Sequence, residues 1–169
     1  IDNNIRTDYN KLRHLIRLDK RFGTNASIIQ EIVNNGETTA VIKDAFPAED
    51  ITKPDNFKSL LYYFGLLSIK GTKRGDTLLG VPNLTVREQL YTYLIEAYKE
   101  ADVFSIELYK LHDLVKDMAY DGDWKPVFEY FSSELERQSA IREFIEGEAH
   151  VKGFLLAYLG LTRTYIIYP

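Results

Sequence analysis

The chain has no cysteine, one methionine and one tryptophan in 169 residues. Without thiols there is no disulfide, no zinc–thiolate site and no cysteine nucleophile. A cysteine-free composition fits a reducing compartment, so a cytoplasmic location is expected. No apolar run approaches the roughly 18 residues that a membrane span needs, so no membrane partner is expected. Asp2 to Tyr9 is polar and lacks the apolar core of a signal peptide. A basic excess is also missing. Lys and Arg total 21 against 25 Asp and Glu, for a net charge of −4. Any affinity for nucleic acid must therefore come from local patches. The P-loop pattern, the G-x-S-x-G nucleophile elbow and the H-E-x-x-H zinc pattern are all absent.

What is present reads as globular. Hydrophobic residues make up 45% and charged residues 27% of the chain, close to ordinary domains. The chain begins at Ile1 and ends on Tyr165-Ile166-Ile167-Tyr168-Pro169, which reads as the interior of a longer protein.

Apolar residues recur at helical spacing from Asn4 to Arg21, with Arg13, Arg17, Lys20 and Arg21 forming a basic stripe. Gly23 is the expected stop of this helix. Ser27 and Gln30 suggest a capping box that opens a second helix, ending at Asn34-Asn35-Gly36. Thr38 to Ile42 is β-branched and reads as a short strand. After breaks at Pro47 and Pro54, Asp55 is expected to cap a helix with Phe57, Leu60, Leu61 and Phe64 in its core. Leu66–Lys70 and Thr77–Val81 flank the polar tip Gly71 to Asp76 and read as a hairpin. Thr85 and Glu88 suggest a second capping box, ahead of the stripe Val86, Leu90, Tyr93, Leu94 and Ala97. Further helices are expected over Ile106–Ala119, through Trp124, Val127, Phe128, Phe131 and Leu135, and through Val151, Phe154, Leu155, Tyr158 and Leu159. Tyr165 to Tyr168 reads as a strand with no evident partner.

The expected fold is mainly α with a small antiparallel β-sheet. Helix, helix, strand, helix and hairpin across 5–82 suggest a winged-helix-like half, followed by a helical half. Three segments are expected: 1–83, 84–145 and 146–169.

The candidate binding residues are cations. Lys70, Lys73 and Arg74 lie on the hairpin, where a basic wing could touch a phosphate backbone. Arg13 and Arg17 could contact DNA or an upstream domain. Both sets also read as solvated surface. His14, His112 and His150 lack metal-ligand spacing. Asn25-Ala26-Ser27 and Asn83-Leu84-Thr85 match the glycosylation pattern, but read better as helix starts. Glu143, Glu146 and Glu148 precede an apolar helix, where acids complement the dipole.

Three stretches together carry a resemblance: Asp55-Asn56-Phe57-Lys58-Ser59-Leu60-Leu61-Tyr62-Tyr63-Phe64-Gly65, then Leu79-Gly80-Val81-Pro82-Asn83, then Gly147-Glu148 leading to Gly153-Phe154-Leu155-Leu156-Ala157-Tyr158-Leu159. In order and spacing the chain resembles the AAA-ATPase-like proteins of Bacteroides-type bacteria. These carry an ATPase-like domain, a helical middle region and a PD-(D/E)XK nuclease-like domain. The resemblance implies the region that follows the ATPase-like domain. It implies that Glu148, five residues before Gly153, is a catalytic-site residue of an incomplete nuclease-like site, and that 165–168 is its first core strand. Many members have His directly before that Gly; here it is Lys152. The metal-binding Asp, the Glu-x-Lys and the Walker motifs would lie outside this sequence. No cofactor is therefore expected within the chain, whereas Mg and ATP would serve the intact parent. The implied partners are the flanking ATPase-like and nuclease-like domains, with nucleic acid as a further candidate. The expectation is a non-catalytic linking or binding module. Its alternative is a helical protein–protein interaction domain without nucleic-acid binding.

Overall fold

A computed structural model describes residues 23–51, 53–138, 148–165 and 167. The helix expected over Asn4–Arg21, with Arg13 and Arg17, lies outside the described residues. So do Glu143 and Glu146.

The described chain is mainly helical with one small antiparallel sheet. In order it runs α1 (Thr24–Asn35), β1 (Glu37–Ala40), a 3₁₀ turn (Ala48–Asp50), α2 (Pro54–Tyr63), β2 (Ser68–Lys73), β3 (Asp76–Gly80), α3 (Leu84–Glu100), α4 (Leu108–Asp121), α5 (Lys125–Arg137) and α6 (Glu148–Leu161). The strand order is β1-β3-β2, with both pairings antiparallel. Helix, strand, helix and hairpin follow one another in the first half in the expected order; the helix expected ahead of them lies outside the described residues.

The helix starts differ from the expected caps. Gly23 is the N-cap of α1; the helix expected to stop there lies outside the described residues. Ser27 Oγ donates back to the Gly23 carbonyl at 3.1 Å, and Gln30 turns into the core. No capping box forms at this site. Lys53 caps α2, with Pro54 in its first turn. Pro suits that position because its missing N–H has no helical partner there anyway. Asp55 therefore sits inside the helix. On α3 the cap is Asn83, whose side chain accepts from Val86 N at 3.0 Å. Thr85, two residues later, already lies inside the helix. The expected stop at Gly36 holds. Its φ of +73° suits a residue without Cβ, and its N–H reaches the Ile32 carbonyl at 2.8 Å.

The hairpin tip is tighter than the six polar residues suggest. Strand pairing continues to Lys73 opposite Asp76, leaving Arg74 and Gly75 as a two-residue turn. Both have positive φ, +56° and +94°, which is the primed turn that matches strand twist. A bulge between Ile69 and Gly71 leaves Lys70 out of register. The stem of Lys70 lies over Gly80, where a Cβ would come within 2.9 Å of its Cγ.

One core joins the sheet to the helices. Ile29, Ile32, Phe57, Leu61 and Leu79 meet beneath the sheet, and Leu90, Leu94, Tyr98, Phe154 and Tyr158 continue the core through α3 and α6. Phe154 packs on Tyr98 and Phe104 with ring centroids at 4.5 and 4.7 Å. Each such ring contributes about 1.5–3 kcal/mol through burial. Two glycines let α6 approach its neighbours. A Cβ on Gly160 would fall 2.2 Å from Tyr91 Cε2, and one on Gly153 would fall 3.1 Å from Gln30 Cγ and Tyr98 Oη.

Helix α5 buries Val127, Tyr130 and Phe131, whereas Trp124 and Phe128 are exposed, against the expectation of a continuous stripe. Tyr165 and Ile167 are the described members of the expected last strand, and neither is in a strand. Instead the Ile167 carbonyl accepts from Arg87 Nη1 at 3.1 Å.

Candidate functional site

The hairpin tip opens onto a polar cleft with a volume of about 770 Å³. The walls are the C-terminal end of α1, the start of β1, the β2–β3 turn and one residue of α6. Three cations face it: Lys73, Arg74 and Lys152. Three acids face it as well: Glu31, Glu37 and Asp76. The lining is therefore balanced in charge.

The cations differ in commitment. Lys73 Nζ lies 3.0 Å from Glu37 Oε1 with both side chains half-exposed. A pair of this kind contributes about 0–1 kcal/mol and exchanges easily. Lys152 Nζ donates to the Asn34 carbonyl at 2.8 Å, which places a cation on the negative end of α1. Arg74 is exposed and makes no hydrogen bond or ion pair among the described residues. Lys70 is on the sheet near Gly80, away from the tip. Of the hairpin cations named from sequence, the cleft thus joins Lys73 and Arg74, and it adds Lys152. Its contribution had no sequence signal, because it stands 78 residues beyond Arg74 and only packing of α6 on α1 brings it near.

Glu148 opens α6 and is exposed. The following residue, Ala149, accepts at its carbonyl from Asn34 Nδ2 at 2.8 Å. The start of α6 is thereby fixed to the end of α1. Among the described residues no three His, Asp or Glu side chains converge on a point that could hold a metal. Glu148 alone is too few donors for Mg²⁺, which binds through carboxylates and several waters in octahedral geometry. The described residues therefore do not make a Mg site.

The helix that a winged-helix unit would present to a DNA groove is α2. Its polar side chains are engaged within the fold. Lys58 Nζ donates to the Thr39 carbonyl at 3.1 Å, and its side chain is only 12% exposed. Asp55 Oδ1 accepts from Val41 N at 3.4 Å, and Ser59 Oγ accepts from Lys43 N at 3.0 Å. Tyr63 donates its hydroxyl proton to Asp44 Oδ1 at 2.7 Å, and that bond pushes the phenol's pKa up. Asn56 Nδ2 donates to the Asp50 carbonyl at 2.8 Å. These bonds satisfy the free edge of β1 and the loop after it. They leave α2 poorly equipped for reading base edges, which takes free donors and acceptors.

Among the described residues no helix is long and apolar enough to cross a membrane. Comparisons with protein-family models, with curated proteins and with solved structures find no match to this chain.

Proposed function

We propose that the chain is a non-catalytic linking and binding module of an AAA-ATPase-like, PD-(D/E)XK nuclease-like protein of the cytoplasm. The supporting observation is the junction of α1 and α6. Asn34 and Lys152 tie the helix that carries Glu148 to the winged-helix-like unit through bonds of 2.8 Å in each direction. A rigid junction of this kind holds flanking domains in fixed relation. The partners are the upstream ATPase-like and downstream nuclease-like domains. Mg and ATP belong to those parts of the intact protein. Glu148 completes the nuclease-like site only there.

Nucleic acid, where bound, meets the hairpin tip. Lys73 and Arg74 offer contacts to phosphate, and α2 offers little for sequence reading. Binding is then weak, insensitive to sequence and dependent on salt. The alternative reading, a helical protein–protein interaction domain without nucleic-acid binding, is favoured by the engaged side chains of α2 and by the charge balance of the cleft. Charge reversal of Lys73 and Arg74 separates the two. Salt-dependent retardation of duplex DNA that disappears in the reversed variant supports the first reading. Retardation unaffected by the change excludes the tip as the contact, and no retardation at low salt supports the second reading. In the intact parent, Glu148→Gln lowers Mg²⁺-dependent cleavage, and full cleavage by that variant removes Glu148 from the site.

A further inference from the structure

The only tryptophan stands outside the core. Trp124 is 59% exposed and Phe128 46%, and their rings meet edge to face with centroids at 6.0 Å. Tyr120, in the last turn of α4, is 84% exposed. The paired rings of Trp124 and Phe128 thus lie open to solvent at the α4–α5 corner, whereas Tyr120 lines a separate cleft with Lys116 and Arg163. Large aromatic anchors of this kind are the residues that most often carry protein–protein binding energy.

The charges at the corner favour one class of partner. Asp117, Asp121 and Asp123 are exposed and pair with no cation among the described residues. The two lysines on this part of the hairpin already face other acids: Lys116 lies 3.9 Å from Asp113, and Lys125 lies 3.5 Å from Glu129. Asp121 is also the last residue of α4, where the helix dipole disfavours an acid. An acid at this unfavourable helix end, three residues before the exposed Trp124, suits a cationic ligand. Rings on this same helix pair already accept a cation, since Lys110 Nζ sits 4.4 Å from the Tyr130 ring centroid.

We propose that the α4–α5 corner docks a basic amphipathic segment of a partner protein, with Trp124 and Phe128 as apolar anchors and Asp117, Asp121 and Asp123 as the charged rim. Apolar side chains of the partner cover the rings, and its Arg or Lys side chains reach the acids and the ring faces. An anionic membrane surface is disfavoured by the same acids. The proposal stands apart from the hairpin tip, and failure at the tip leaves it intact.

The test is fluorescence anisotropy with a labelled amphipathic peptide of Arg and Leu, and with its Glu and Leu counterpart as control. Intrinsic emission of Trp124 gives a second signal from the same titration. The Arg peptide is expected to bind saturably, to shift Trp124 emission to shorter wavelength and to bind more weakly at higher salt. Trp124→Ala with Phe128→Ala, and separately Asp121→Asn with Asp123→Asn, are each expected to weaken it about tenfold or more. Both double variants change exposed side chains, so their unfolding midpoints verify that the fold is intact. Equal binding of the two peptides, no saturable binding, or unchanged binding in folded variants would overturn the proposal. So would a wavelength shift on anionic vesicles but not with the peptide, or self-association that buries Trp124.

Discussion

Tyr98 on α3 donates its hydroxyl hydrogen to Gln30 Oε1 on α1 at 3.0 Å, wholly inside the protein. Gly153 of α6 lies against the same pair. Three helices thus meet at one buried polar contact. Tyr98→Phe keeps the ring and its packing on Phe154 but leaves the Gln30 carbonyl without that donor. We expect a loss of about 1–3 kcal/mol, the usual penalty for a buried polar group deprived of its partner. Urea unfolding of the variant measures it, and a midpoint equal to the wild type's contradicts the role of this bond.

Helix α6 approaches α3 closely enough that an ordinary helix rule reverses. An alanine is normally better than glycine in a helix by about 1 kcal/mol. At Gly160 the added methyl would meet the Tyr91 ring at 2.2 Å. Overpacking of this order costs about 1–3 kcal/mol. Gly160→Ala is therefore expected to lower the thermal midpoint, and by more than Gly153→Ala, where the nearest atoms, on Gln30 and Tyr98, stand off at 3.1 Å. Calorimetry of both variants checks the order.

The buried tyrosines predict alkaline lability. Burial raises the pKa of Tyr98 far above its ordinary value, and pushes that of Tyr158 up to about 12. In the unfolded chain both ionise near pH 10. A group whose pKa is raised in the folded state contributes stability that is complete below the unfolded value and is lost as pH rises toward the folded one. Stability should thus fall between about pH 10 and 12, with phenolate absorbance from these two rings appearing together with loss of helix. Full ionisation of every tyrosine in a still-folded protein would contradict this.

Arg74 occupies the left-handed region at φ +56° in the two-residue turn. A residue other than Gly, Asn or Asp costs about 1–2 kcal/mol there. Arg74→Asn should stabilise the protein by part of that amount while weakening any contact of the tip with phosphate. Thermal unfolding and DNA retardation of the one variant should move in opposite senses.

Much of the first half was legible because it depends on local chemistry. The stop at Gly36, the hairpin around Gly75 and the α3 stripe through Leu90, Tyr93, Leu94 and Ala97 need only turn residues and periodicity. The caps failed where two polar residues competed. Ser27 matched a capping box, yet its hydroxyl returned to Gly23 and Gln30 was drawn inward by Tyr98. Trp124 and Phe128 matched a helical period, yet α5 turns the Val127, Tyr130 and Phe131 face to the core. Periodicity finds a stripe but not which stripe α4 covers. Lys152 in the cleft and the engagement of Lys58, Asp55 and Ser59 with β1 and the loop after it were hidden for another reason. Both depend on contacts between segments distant in sequence.

The sequence of the gene on either side of these codons tests the central claim most directly. The account predicts a Walker A pattern upstream, and downstream an Asp followed by Glu-x-Lys on alternating strands. An open reading frame that lacks both patterns would contradict the linking role and leave the interaction surface at Trp124 to stand alone.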